Sequence, residues 1–256
     1  MAILTGVVWV GTGFIVPETY APVLLRQRAR KLSKISGKVY HSHVDMGEGS
    51  LSTGDIFRTS LLRPWVLLFC EPIVLILSVY MAVVYGTLYM LFGAFPIVYQ
   101  EQRGWSEGIA GLPFLGVALG MQFAIAYAFL IDNRRYQRLT VKYGGDVSPE
   151  ARLHSVIVGG CALPLGLFWF AWTNSPSLPW PASVAAGIPF GFGMVLVFLG
   201  LMNYLVDAYT IFAASVLAAT SLLRSGFGAA FPLFTVQMYD RLGKQRTDIS
   251  VGIFTY

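Results

Sequence analysis

Arg224 stands inside a run, Ile211 to Val236, whose other residues are all apolar, small or hydroxyl-bearing. A charge at mid-bilayer costs about 2.5–3.5 kcal/mol on insertion scales. Counted from the start of that run, Arg224 lies about 14 residues in, or roughly 20 Å along a helix in a hydrocarbon core of about 30 Å. It cannot snorkel to either face, so its guanidinium must meet protein or trapped water. Two roles fit that position. One is a structural arginine holding helix ends or unwound carbonyls, and the other is a residue on a substrate or ion pathway. Thr220, Arg224 and Gly228 recur at helical spacing, a polar strip ending in a gap where glycine has no side chain.

A second anomaly is Glu71, in the apolar block that follows Pro64. Stepping along a helix from it reaches Ser78, Ala82, Tyr85 and Tyr89, a partly polar, aromatic stripe. Tyrosines inside a bundle offer apolar faces and a hydroxyl, which suits amphipathic organic ligands; ordinary helix packing explains them equally well. Glu71 is read as a gate-side or proton-coupling carboxylate near one edge of its span. Gln122 and Asn203 are expected to be interior polar residues of the pathway, together with Tyr85, Tyr89 and Arg224. Asp207 is expected at a span end, either solvated or part of a gate.

Soluble-enzyme chemistry finds no support. "GTGFIV" at 11–16 imitates part of a dinucleotide fingerprint but lacks a βαβ setting. His41 and His43 form an H-x-H with no evident third metal ligand. Paired-carboxylate, P-loop and nucleophile-elbow patterns do not occur, so the expectation is no enzyme, no metal and no cofactor.

The elements that must position these residues follow from composition. The chain has 256 residues, 55% of them hydrophobic and only 12% charged, against about 25% in soluble domains. Its apolar residues come in blocks long enough to cross a bilayer. Five spans are predicted, near 66–95, 108–131, 154–173, 181–205 and 210–236. A partial helix at 1–16 precedes them, and a polar tail at 239–256 follows. The whole five-span bundle is placed at 65–238, and 17–64 is read as a loop whose end, "DIFRTSLLRP", forms a short interfacial helix. The segments 17–64 and 132–153 together hold thirteen of the eighteen Lys and Arg residues. The positive-inside rule puts both in the cytoplasm, and the net charge of +5 reports orientation and lipid headgroups rather than nucleic acid. Ser106-Glu107 and Ser148-Pro149-Glu150 read as helix starts, and Trp65, Trp105 and Trp180 as interface anchors. Gly116/Gly120, Gly187/Gly191 and the Ala214–Ala218–Ser221–Ser225–Ala229 stripe predict close helix packing. Cys70 and Cys161 are expected to be small buried hydrophobes.

Several long stretches resemble a known family: "PETYAPVLLRQRARKL", "RPWVLLFCEPIVLILSVYMAVVYGTLYMLFGAFPIVYQE", "GLPFLG", "IDNRRY", "IPFGFGMVLVFLGLMNYLVDAYTIFAASVLAA" and "SLLRSGFGAAFPLFTVQMY". They are similar to the fungal drug:proton antiporter branch of the major facilitator superfamily, over about residues 1 to 240. The resemblance implies an all-α polytopic bundle, the incomplete C-terminal half of a twelve-helix transporter. Residues 1–16 would then end helix six, and the five spans would be helices seven to eleven. It also implies that "AYAFLIDNRRYQR" is a degraded copy of the superfamily's loop motif, with Asp132, Arg134 and Arg135 fastening helix ends as a gate. The function implied is proton-coupled export of drugs, toxins or polyamines across the plasma membrane, in truncated form. The partners would be the bilayer, a small-molecule substrate, and a missing N-terminal half or a full-length homologue. The alternative is a non-transporting fragment or regulatory partner of a full-length transporter.

Overall fold

The computed structural model describes residues 5–6, 9, 11–12, 21–40, 53–145, 147–175 and 177–242. Of the expected partial span 1–16, only Thr5, Gly6, Trp9, Gly11 and Thr12 are described, all helical. His41, His43 and the tail beyond Leu242 lie outside the described residues. The chain divides into two compact units, residues 1–59 and 60–256.

In the first unit, the predicted loop contains a helix, α1 (Ala21–Ser36). Arg26, Arg28, Arg30, Lys31 and Lys34 ride on it. Gly37 ends it with φ +66°, and its N–H donates to the Ser33 carbonyl at 3.1 Å. A left-handed residue at that position is what lets the last carbonyls find donors.

A helix also replaces the predicted start of the first span. α2 (Thr53–Cys70) carries Pro64 inside it, and α3 (Pro72–Phe95) begins only at Pro72. The helix of the first span therefore starts at Pro72 instead of near residue 65, and Glu71 lies in the joint between two helices. The cause is local. A residue before proline is pushed out of the helical region, and Glu71 has φ −103° and ψ 103°. Pro72, which has no N–H to satisfy, occupies the first helical position.

Among the described residues, five segments are long and apolar enough to cross a membrane: Pro72–Glu101, Ile109–Lys142, Pro149–Thr173, Trp180–Ala208 and Ala213–Leu233. The first continues α3 into a π-helical turn, Pro96–Gln102. The second joins α4 (Pro113–Tyr127) through a π-helical turn, Ala128–Asp132, to α5 (Asn133–Lys142). The third is α6 (Leu153–Thr173), opened by a 3₁₀ turn at Pro149–Arg152. The fourth is a short α7 (Trp180–Ala185) followed by α8 (Gly187–Ala208). The fifth, α9, runs from Ala213 to Leu242, so residues 239–242 of the expected polar tail are still helical.

α8 is the central helix. It packs along α6 on one side and α4 on the other, while α9 packs along α3; α8 also touches both α9 and α3. Glycine makes these approaches possible. A Cβ on Gly120 would strike the Ile188 carbonyl, and one on Gly116 the Val184 carbonyl. Gly159 and Gly193 face each other so closely that a Cβ on either would lie 2.6–2.7 Å from the other's carbonyl oxygen. In lipid there is little hydrophobic drive between helices, so this close backbone packing is the main attraction. α3 and α9 interlock differently: the Phe231 ring fills the space over Gly86, and the Tyr85 ring the space over Gly228.

Three packing expectations are corrected. In α9 the small stripe does not face the bundle: Ala214, Ala218, Ser225 and Ala229 are exposed, and Val216, Ala219, Thr220 and Gly228 are buried instead. Cys70 and Cys161 are free and exposed. Ser106 and Ser148 stand where helical turns begin, yet neither start has a side-chain cap bond.

Substituting Gly120 by alanine should force α4 from α8 and destabilise the protein by about 1–3 kcal/mol. The same change at Gly226, which has open space around it, should be neutral or stabilising by up to about 1 kcal/mol. Thermal unfolding of the two purified variants in one detergent measures both.

Candidate functional site

α9 carries Arg224 about 16 Å beyond Ala213, at the middle of its span. The guanidinium carbon sits 4.9 Å from the centroid of the Tyr85 ring and 5.6 Å from that of Phe198. α3 and α8 thus each offer an aromatic face to one cation, a contact worth about 2 kcal/mol when desolvated. This offsets most of the charge's insertion cost. It satisfies none of the hydrogen-bond donors, however: the Nε is buried and has no acceptor.

The rings belong to a longer array. Tyr85 meets Phe198 edge-on at 6.0 Å and Tyr89 at 4.9 Å. The two tyrosine hydroxyls share a hydrogen bond of 3.2 Å. Tyr89 leads to Phe92 at 5.6 Å and Phe92 to Phe114 at 5.3 Å, so the aromatic surface runs from α8 across α3 to α4. One turn from Arg224 along α9, Thr220 and Ser78 are both buried and bond to each other at 2.9 Å. The Thr220–Arg224–Gly228 strip therefore faces α3 along its length, and its hydroxyl is already satisfied.

Gln122 and Asn203 are not part of this cluster. Both are exposed in this chain, on faces that no other described helix covers. The reason is helix phase. Gln122 is two residues, about 200°, from Gly120, whose face is pressed onto α8. Asn203 is likewise two residues from both Leu201 and Leu205, which are fully buried.

The two ends of the bundle are fastened by different chemistry. At the end bearing the 132–153 segment, the Arg152 Nε donates to the Asp207 Oδ2 at 2.8 Å, and the Arg152 guanidinium stacks 3.9 Å from the Tyr136 ring centroid. Asp207 is thus paired, which corrects the solvated reading. The Tyr209 hydroxyl donates to the Glu71 carboxylate at 3.2 Å, tying the α2–α3 joint to the turn after α8. Burial, and secondarily that bond, push the Tyr209 pKa up, so the phenol stays a donor at physiological pH. Arg63 lies 5.2 Å over Phe212 in the same region. Arg134 and Arg135 are exposed on α5 and Asp132 is half-buried at its start, and within this chain the contact at this end is made by Tyr136, Arg152 and Asp207.

At the opposite end Arg103 donates to the carbonyls of Leu178 (3.0 Å) and Ser175 (2.7 Å). Beside it the Tyr99 hydroxyl donates to the Ser183 Oγ at 2.8 Å. Tyr99 also packs on Trp105 at 5.1 Å, and Trp105 on Trp180 at 5.7 Å. Gly104, at φ +68°, turns the chain so that Gly104 and Trp105 donate to the carbonyls of Gln100 and Tyr99.

Sequence reasoning missed Phe198, Tyr209, Arg152 and Arg103 as contact residues. Phe198 has no distinguishing signal among the apolar residues of its helix. The other three carry a faint one, since each is a polar or amphipathic residue at the edge of a span. Among the described residues no group of three or more His, Cys, Asp or Glu lies close enough to hold a metal ion.

Comparison with known proteins bears on the whole chain. The Major Facilitator Superfamily profile matches residues 1–232. The MFS-type efflux pump MFS2 of Trichophyton rubrum is 63% identical over 243 residues, covering 95% of this chain and 41% of that protein. The Major facilitator superfamily multidrug transporter mdrA of Aspergillus fumigatus is 61% identical over 239 residues, 93% of this chain and 39% of that one. The efflux pump FUBT of Fusarium oxysporum is 51% identical over 245 residues, 96% and 41% respectively. The chain thus spans about two fifths of the length of these curated relatives. No solved structure matches it significantly. With five membrane-crossing helices, a glycine-packed bundle and a profile match over nearly its full length, the chain belongs to the major facilitator superfamily of membrane transporters.

Proposed function

We propose that these residues form one side of a proton-coupled exporter of amphipathic organic compounds, acting at the plasma membrane. The observation that carries the reading is Arg224, a mid-span cation held on Tyr85 and Phe198 with an unsatisfied Nε. A charge kept at that depth without a carboxylate partner is costly unless it serves a pathway. The aromatic array through Tyr89 gives an amphipathic solute both apolar surface and hydroxyl contacts. The relatives' names, efflux pump and multidrug transporter, point the same way. Transporters of this type rock two halves about a midplane site, and the facing half would come from the rest of the relatives' length or from a partner. The proton gradient would drive the exchange, and no cofactor is required.

In this reading the Arg152–Asp207 pair, with Tyr136, is a gate latch that opens and closes with each cycle. Both side chains are about a quarter to a third exposed, at 27% and 30%. Water can therefore replace the contact at small cost. A double-mutant cycle with Arg152→Gln and Asp207→Asn, followed by unfolding of each purified variant, should give a coupling of about 1 kcal/mol or less. A coupling several times larger would mark the pair as a permanent strut.

Export itself is tested in a fungal strain lacking its own drug exporters. The chain is expressed alone and joined to the first half of a relative, and efflux of a labelled amphipathic drug is followed with and without a protonophore. The joined form should lower accumulation only while the gradient stands, and Arg224→Ala should reduce that efflux by about tenfold or more. A joined form that reaches the membrane and shows no gradient-dependent efflux would overturn the reading, and co-purification with a full-length relative would then favour a non-transporting partner.

A further inference from the structure

We infer that the Arg224 cluster selects organic anions: amphipathic carboxylates with an aromatic or otherwise apolar body, and not cations such as polyamines. This rests on the reading that Arg224 faces the export pathway, and it narrows that reading to one charge class of solute.

The argument begins with a charge inventory. Within the apolar stretches of the five spans, 73–100, 109–131, 155–173, 180–206 and 213–233, Arg224 is the one charged side chain among the described residues. Glu71, Glu101, Glu107, Glu150 and Asp207 stand at span ends or in the turns between them, and Asp132 opens the charged stretch that closes the second span. Asp207 is taken by Arg152, and Glu71 accepts from Tyr209. Among the described residues no ion pair reaches Arg224, and the groups that do reach it are ring faces.

A ring face and a carboxylate do different things for a guanidinium. The ring's quadrupole attracts the charge but accepts none of the five N–H donors. Arg224 therefore keeps its hydrogen-bonding demand: its Nε is buried without an acceptor, and its terminal nitrogens are the ones left for a solute to meet. The group that completes it is a planar anion able to take two parallel N–H bonds, and a carboxylate has that geometry. The surroundings select further. On the ring that meets the guanidinium, the Tyr85 hydroxyl bonds to that of Tyr89 at 3.2 Å, and the pair keeps one O–H free to donate to the same anion. The rings of Tyr85, Tyr89, Phe92 and Phe198 form an apolar surface for the rest of the solute. A cation meets the reverse: a fixed like charge, and no carboxylate in the cluster to hold it.

The test uses three probes of nearly one shape, 2-naphthoate, 2-naphthamide and 2-naphthylmethylammonium. Binding of each to the purified chain in lipid nanodiscs is measured by equilibrium dialysis at pH 7.5. The acid should bind about tenfold or more tightly than the amide, and the ammonium more weakly than either. Arg224→Gln should erase the preference for the acid, and circular dichroism of the variant in the same nanodiscs shows that it folds. Arg224→Lys should retain part of the preference. Equal affinity for acid and amide, tightest binding of the ammonium, or an acid preference that survives Arg224→Gln would each overturn the anion inference while leaving the pathway standing. Binding of none of the three would overturn both. The comparison on the unsubstituted chain decides the matter even if Arg224→Gln does not fold.

Discussion

A guanidinium resting on two ring faces in the middle of a bilayer-length helix constrains everything around it. It requires α9 to stay seated against α3, because Tyr85 is one of the rings, and near α8, because Phe198 is the other. The seat is specific to these helices. Gly228 lets the Tyr85 ring in, Gly86 lets the Phe231 ring in, and the Ser78–Thr220 bond leaves no unsatisfied hydroxyl on that strip. A bulkier residue at either glycine would lift the helices apart and return the charge to lipid.

The remaining helices are held by backbone proximity. α4, α6 and α8 meet where glycines leave no room for a Cβ against the facing backbone, an arrangement with many small dispersion contacts and no slack. The ends of the bundle differ from this middle and from each other. At one end Arg103 binds two main-chain carbonyls of a turn, so that fastening is tied to the fold of the turn itself. At the other, Arg152, Asp207 and Tyr136 meet side chain to side chain at partial exposure. In the proposed export cycle this second end is the one suited to open, because water can take over each of its contacts.

The Glu71–Pro72 joint shows how a local rule redirects a functional residue. Read as part of a long apolar block, Glu71 lies near one edge of its span, a gate-side or proton-coupling carboxylate. Proline at 72 moves the helix start to itself and leaves Glu71 extended at the joint, where it accepts from Tyr209. The same proline also explains why the first span begins about two turns later than the apolar block does.

What the sequence alone determined is the part governed by local or one-dimensional physics. Five apolar blocks of bilayer length, basic segments between alternate spans, the mid-span depth of Arg224, and the pairing of Tyr85 with Tyr89 one turn apart all follow from residue type and helical spacing. Even the glycine contacts of α4 with α7 and α8 were legible as spacing, though not which helix would meet which. Tertiary structure alone decided which face of each helix turns inward. Gln122 and Asn203 point away from the packed faces, the small residues of α9 lie outside, and Phe198 is picked from a helix full of similar residues. The physical reason is that in a membrane both faces of a span are apolar, so the inside–outside contrast that orients helices in water is missing from the sequence, and only the fit of backbone against backbone chooses the inner face.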